Sequence, residues 1–289
     1  MSPIQTVEAQ VHYDTDPRVF ELMLDRNMNY SSGYYLNDDE NLDAAQIHKM
    51  EKIAAICGMK PGSRLLDIGC GWSGPLMYFA EHYACDAYGL TVSEVQRDWA
   101  VRVSKQKRLE QRVHIDVCDG LDCSHEEQSF DHIIFLESII HMGEKDKIFS
   151  LCHKLLKPGG ILFVQESCYD KNSLTGKYRN DRGFQAVDRA FGHTGSMVSG
   201  GEMLRLMEEA GLSPVYFENI SNHYQKTLSQ WARNLDLHQT ELKKAAGPFF
   251  VEFRRYMMLA IATYRAEKTL CHMMAAQKSP NRWIARNAG

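Results

Sequence analysis

Hydrophobic and polar positions change their period along this chain, and the changes mark its elements. Residues 42–55 carry apolar side chains at Leu42, Ala45, Ile47, Met50, Ile53 and Ala54, the spacing of a helix face. Pro61-Gly62 then marks a turn. Short, largely apolar runs at 64–68, 86–92, 113–117, 130–136 and 161–165 predict five strands. Helical patterns at 75–83, 94–107 and 145–156 separate most of them, and Lys157-Pro-Gly-Gly160 ends the last helix. Strands alternating with helices predict a parallel, doubly wound α/β sheet. Further on, 202–210 predicts a helix, 215–220 a sixth strand and 270–276 a last strand. Residues 228–265 are mostly helical, split near Gly247-Pro248.

Two stretches break the alternation. Residues 1–45 are polar and aromatic, with Tyr13, Tyr30, Tyr34 and Tyr35. Residues 169–200 are polar and carry Gly176, Gly183, Gly192, Gly195 and Gly200 beside Tyr178, Phe184 and Phe191. Long segments of this kind are usually functional or disordered. This one reads as a cap inserted over a site, the alternative being a solvated excursion.

Composition narrows the function classes. A chain of 289 residues holds one large α/β domain with additions, or two small ones. Its net charge of -4 argues against a sequence-independent grip on nucleic-acid phosphates. No apolar run is long enough to span a bilayer, and the first residues lack a basic, then apolar, signal-peptide pattern. None of the eight cysteines forms C-x-x-C, and several sit in apolar runs. Reduced thiols in a cytoplasmic protein, without structural zinc or other metal, are expected.

The chemistry begins at Leu65-Leu-Asp-Ile-Gly-Cys-Gly-Trp-Ser-Gly74, an apolar strand running into glycines at 69, 71 and 74. Glycines there let a backbone approach a ligand closely. The spacing G-x-G-x-x-G alone fits both a dinucleotide and S-adenosylmethionine (SAM). A dinucleotide site expects an acid about twenty residues on, at the tip of the second strand. That strand ends Tyr88-Gly-Leu-Thr-Val-Ser93, without one. Asp67, before the glycines, can compensate a sulfonium, and Asp119, after the third strand, can accept from an adenine amino group. These features, with Lys157-Pro-Gly-Gly160, resemble class I SAM-dependent methyltransferases.

A closer resemblance follows from three motifs. Asn29-Tyr-Ser-Ser-Gly-Tyr-Tyr35 resembles the Tyr-Ser-x-x-Tyr motif of cyclopropane-fatty-acid and mycolic-acid methyltransferases, shared with coclaurine-type N-methyltransferases. Gly89-Leu-Thr-Val-Ser-Glu-Val-Gln96 resembles their second-strand motif, in which a glutamine replaces the ribose-binding acid. Asn222-His-Tyr-Gln-Lys-Thr-Leu-Ser-Gln-Trp231 resembles their His-Tyr-x-x-Thr-Leu-x-x-Trp segment. The resemblance runs from about residue 13 to 278 and is weakest over 170–200. It implies a class I Rossmann-like fold with a seven-stranded, mostly parallel sheet and helices on both faces. Residues 1–60 would form an N-terminal helical arm that closes over the cofactor, and 61–289 the methyltransferase domain. Tyr30 and Ser31 would touch the methionine carboxylate of SAM, with Gly69 and Gly71 under it. Thr91, Val92 and Gln96 would hold the ribose, Asp119 and Gly120 the adenine. Leu136 would lend a carbonyl near the sulfonium.

The departures point to another branch. Cyclopropane synthases hold a bicarbonate base with a cysteine, a Phe-Glu-His run and a histidine after strand five. Here Ser32, Ile140 before His141, and Gln165 stand in those places, and Tyr224 alone is kept. Leu136-Glu-Ser-Ile-Ile-His-Met142 instead resembles tocopherol-type and geranyl-diphosphate-type C-methyltransferases, which carry a Glu-Ser pair after strand four. In the latter that glutamate is the implied base.

Glu137 is therefore the candidate base, the alternative being an acid bonded to loop amides. His141 is a second base, a partner of Glu137, or an ordinary local histidine. Tyr224 can orient the acceptor. Tyr178, Phe184, Phe191 and Trp231 can line a substrate pocket whose rings face a cation, or simply fill the core. The expected activity is SAM-dependent methylation of an apolar small molecule, with S-adenosylhomocysteine (SAH) as by-product. The lean is to C-methylation of a prenyl or related alkene group in specialised metabolism. The alternatives are N- or O-methylation of a natural-product amine or hydroxyl, and a non-enzymatic SAM-binding protein. A homo-oligomer stays open.

Overall fold

A central sheet organises the chain, described here from a computed structural model for residues 16–170, 197–247 and 249–279. Its strands are β1 (Arg64–Ile68), β2 (Asp86–Thr91), β3 (Val113–Val117), β4 (Phe130–Leu136), β5 (Leu156–Tyr169), β6 (Leu212–Asn219) and β7 (Thr269–Lys278). Their order across the sheet is β3-β2-β1-β4-β5-β7-β6. β1 to β5 pair in parallel, and β7 inserts antiparallel between β5 and β6. The chain winds outward from β1 to β3, then returns to lay β4 on the other side of β1. That reversal opens a crevice at the carboxyl ends of β1 and β4, where open α/β sheets receive ligands.

Successive side chains of a strand point to opposite faces. Leu65, Ile134, Phe163 and Met273 therefore join one core, and Leu66, Ile133, Leu162 and Met274 the other. The first core is covered by α1 (Pro17–Met23), α2 (Leu42–Cys57), α3 (Gly74–Tyr83), α7 (Ser221–Leu237) and α9 (Phe249–Arg265). The second lies under α5 (Lys145–Leu155) and α6 (Gly200–Glu209). α4 (Glu94–Gln106) and α8 (Gln239–Ala246) complete the helices of the described residues.

Three elements differ from the sequence reading. β5 is a 14-residue strand rather than a stop at 157–160 followed by five residues. Its extension is held by β7, which pairs with it from Ile161↔Gln277 to Tyr169↔Thr269. β6 begins at Leu212 rather than 215 and carries Pro214, which an edge strand tolerates because its N–H side faces no partner. α7 begins at Ser221 rather than 228. The expected cap at 169–200 overlaps β5 at one end and α6 at the other, and its remainder, with Tyr178, Phe184 and Phe191, lies outside the described residues.

All eight cysteines are free thiols. Among the described residues, no helix is long and apolar enough to cross a membrane, and no cluster of His, Cys, Asp and Glu could hold a metal ion.

Candidate active site

The crevice at the ends of β1 and β4 deepens into a cavity. Tyr30, Ser31, Asp67, Gly69, Gly71, Thr91, Val92, Gln96, Asp119, Gly120 and Leu136 all line it, and so do Glu137 and His141. Each comes from an element end that the sheet brings together. Asp67 sits on β1, in register with Gly89 of β2 and Ile134 of β4. The loop after β1 supplies Gly69, whose φ of 85° suits a residue without a β-carbon. A β-carbon there would lie 2.4 Å from that of Ser138. The Ser138 hydroxyl in turn donates to the Ile68 carbonyl at 2.6 Å, tying the loop after β4 to the loop after β1.

At the β2 end, Thr91 Oγ1 donates to Gln96 Oε1 at 2.8 Å, and Ser93 N–H donates to Thr91 Oγ1 at 3.2 Å. This leaves the Gln96 amide nitrogen as the outward donor. After β3, Asp119 caps a short 3-10 turn (Gly120–Asp122) by accepting from Leu121 N–H at 3.0 Å.

Asp67 is 2% exposed, and burial pushes its carboxyl up to about 7, with Lys49 pulling the other way. Its Oδ1 is buried at the cavity wall without a hydrogen-bond partner. A carboxylate oxygen so placed fits a cationic amino-acid ligand. Gly71 also has positive φ, 52°, a conformation that suits a residue without a β-carbon. These residues fit SAM. Tyr30, Ser31 and the glycine loop would hold its amino-acid end, Thr91 and Gln96 its ribose, and Asp119 its adenine.

Glu137 follows β4 directly and has φ 61°, unusual for a residue with a side chain. Its N–H donates to the Gln165 carbonyl at 2.7 Å. Its Oε1 accepts from Ser32 N–H at 2.7 Å and from Gln165 Nε2 at 2.8 Å, and the Tyr224 hydroxyl also donates to the carboxylate. Gln165 Nε2 bridges on to the Ser32 carbonyl at 3.0 Å. Burial raises the Glu137 carboxyl above its ordinary value, while the three donors and the Lys49 ammonium oppose that rise. The carboxylate is thus fixed, on a half-buried residue at the cavity wall.

His141 ends a second 3-10 turn (Ile139–His141) braced from below. Glu166, 1% exposed, accepts from Ile140 N–H at 3.0 Å and from Ser167 N–H at 2.7 Å. Lys145 Nζ donates to the Met142 carbonyl at 2.7 Å. Burial pushes Glu166 up to about 8 and Lys145 down to about 8.

Two predicted residues are not on the wall. Trp231 is 1% exposed and packs in the core behind Tyr30, with ring centroids 5.3 Å apart. Its expected place in a substrate pocket is corrected accordingly: its indole fills the space between Tyr30 and Tyr224. Tyr224 stands behind Glu137, within the same aromatic cluster. The sequence reading missed Lys49, fully buried on α2 beneath Asn29 and Ser31. The signal was present, since Gln46 and Lys49 are polar residues at inward positions of an otherwise apolar helix face.

The sheet order and the glycine loop at the β1/β4 crevice define a class I SAM-dependent methyltransferase. A model of the family described as mycolic acid cyclopropane synthetase matches residues 3–274, and the chain belongs to that family. It is 28% identical over 244 residues to a probable fatty acid methyltransferase of Pseudomonas putida. That match covers 82% of this chain but 59% of the longer relative. It is 24% identical over 291 residues to the methoxy mycolic acid synthase MmaA3 of Mycobacterium tuberculosis, covering 94% of each. Its fold is similar to that of the mycolic acid cyclopropane synthase CmaA1 in complex with SAH and CTAB. That likeness has a TM-score of 0.86 at 23% identity and covers 94% of this chain and 98% of the other.

Proposed function

We propose that this chain methylates a carbon–carbon double bond of an apolar small molecule, in the manner of a prenyl or related alkene group, with Glu137 as the base. The observation that carries the reading is the Glu137 carboxylate, held by Ser32, Gln165 and Tyr224 at the wall of the cofactor cavity.

Bound SAM supplies an electrophilic methyl group on a cationic sulfur. An alkene that gains a methyl cation becomes a carbocation and must then lose a proton to restore a double bond. Glu137 takes that proton: a C–H bond breaks, its electron pair closes the new double bond, and the carboxylate becomes a carboxylic acid. Its raised proton affinity suits the task. The wall, among the described residues, carries the acids Asp67, Asp119 and Glu137 and no lysine or arginine. A fixed carboxylate such as Glu137 lowers the energy of a cationic state formed beside it. Positioning does the rest, and holding two reactants in line supplies up to roughly 7–11 kcal/mol of a barrier. The similarity to a probable fatty acid methyltransferase and to a methoxy mycolic acid synthase supports an apolar acceptor.

His141 on the same wall supports a second reading, N- or O-methylation with the imidazole as base. Glu137→Gln and His141→Ala separate the two. Loss of methyl transfer in Glu137→Gln with SAH binding intact supports Glu137. Full activity in Glu137→Gln with loss in His141→Ala overturns it.

A further inference from the structure

Lys49 projects from the inward face of α2, one helical turn after Gln46, and neither side chain is exposed. Gln46 Nε2 donates to the Ser31 carbonyl at 2.8 Å. Lys49 Nζ donates to Ser31 Oγ at 2.8 Å and to Asn29 Oδ1 at 3.2 Å. Asn29 is fixed in its turn by Asp25, which accepts from its N–H at 2.7 Å and from its Nδ2 at 2.9 Å. A buried ammonium is costly unless it is paired and hydrogen-bonded. The charged and titratable groups facing this one come from four places: Asp25 after α1, Asp67 on β1, Glu137 after β4 and Cys271 on β7.

The consequence lies at Ser31, a residue that lines the cavity. A hydroxyl has one proton to donate and two lone pairs to accept with. Its oxygen accepts from Lys49, so its proton remains to be donated to another acceptor. We infer that Lys49, which does not itself line the cavity, is a positioning residue for the carboxylate of the bound cofactor's amino-acid end, acting through the Ser31 hydroxyl and the buried charge behind it. This rests on the SAM reading of the cavity and on nothing about the methyl acceptor.

Calorimetric titration with SAH tests it without any turnover. Lys49→Met is expected to weaken SAH binding roughly 10- to 100-fold, the loss of one charge-assisted interaction. Ser31→Ala should weaken it roughly tenfold. The double variant should be no worse than Lys49→Met by more than about twofold, because the two residues act in series. Burial holds the Lys49 ammonium down to about 8, so wild-type affinity should fall between pH 7 and 9 as its proton leaves. The ligand's own amine titrates identically with every variant, so the difference between profiles is read. That fall should be absent from Lys49→Met and reduced in Ser31→Ala, and the Ser31→Ala profile decides if Lys49→Met does not fold. Variants that match the wild type in affinity and pH profile, or single losses that simply add, overturn this inference alone. A wild type that binds no SAH at any pH overturns the cofactor reading together with it.

Discussion

Glu137 combines a left-handed backbone with a buried carboxylate, and each would be unfavourable alone. A side chain at φ 61° costs roughly 1–2 kcal/mol. Three donors to one carboxylate hold the residue in place and keep the ionised form accessible despite burial. Glu137→Gln should therefore lose at least about 10²-fold in rate, while calorimetry still registers SAH binding. Tyr224→Phe removes one donor to the ionised form, so the carboxyl proton should be held more tightly. The acid limb of the rate profile, which lies above the ordinary glutamate value of 4.5, should then move to higher pH. An unmoved limb would show that Tyr224 does not act on Glu137. At this scale the glycine loop, Asp67 and Asp119 were legible in the sequence, because their chemistry is carried by local spacing. Lys49 left only a faint mark, a polar residue on an inward helix face, and Trp231 stayed open between pocket and core. A lysine on a helix and a tryptophan in an aromatic-rich chain reveal their surroundings only once distant segments pack on them.

The loops after β1 and β4 form one unit, and the site depends on how closely they meet. Gly69 and Ser138 leave no room for a β-carbon between them, and the Ser138 hydroxyl closes the contact on Ile68. Gly69→Ala should lower stability by roughly 2–4 kcal/mol, combining backbone strain with overpacking. Chemical denaturation and SAH titration would both register it. A variant that melts and binds like the wild type would mean that the two loops are not locked together. The β1 to β4 strands and the helices between them were readable from apolar runs and breakers, nearly to the residue. β5, β6 and α7 were read short. Their extra length is set by pairing with β7 and by packing across the sheet, which no local period records.

Across the whole molecule, the sheet carries several buried titratable groups. Burial holds His132 and His272, 6% and 5% exposed, down to about 4 from an ordinary 6.5. The unfolded chain therefore takes up those protons first as pH falls. The stability tied to each histidine is present above about pH 6.5 and is lost toward pH 4, on the order of 3 kcal/mol apiece. Asp67 and Glu166, raised to about 7 and about 8, work in the opposite sense, since the folded chain binds their protons more tightly. The net slope thus mixes both signs, but His132→Gln should lose less stability than the wild type between pH 6.5 and 4. Thermal melts of the two proteins across that window check this, and parallel slopes would refute it. The antiparallel place of β7 between β5 and β6 belongs to this scale too, because strand order is a property of the assembled sheet. So does the cluster around Glu137, in which residues 32, 137, 165 and 224 meet although the chain separates them widely. The central claim, a SAM-dependent C-methylation with Glu137 as base, is tested most directly by mass spectrometry. Wild type and Glu137→Gln would be incubated with methyl-labelled SAM and a panel of unsaturated prenyl and lipid acceptors. The account predicts a product carrying the labelled methyl on carbon with the wild type, and its near-complete loss with Glu137→Gln while SAH still binds. No labelled product from any unsaturated acceptor, or undiminished product from Glu137→Gln, would contradict it.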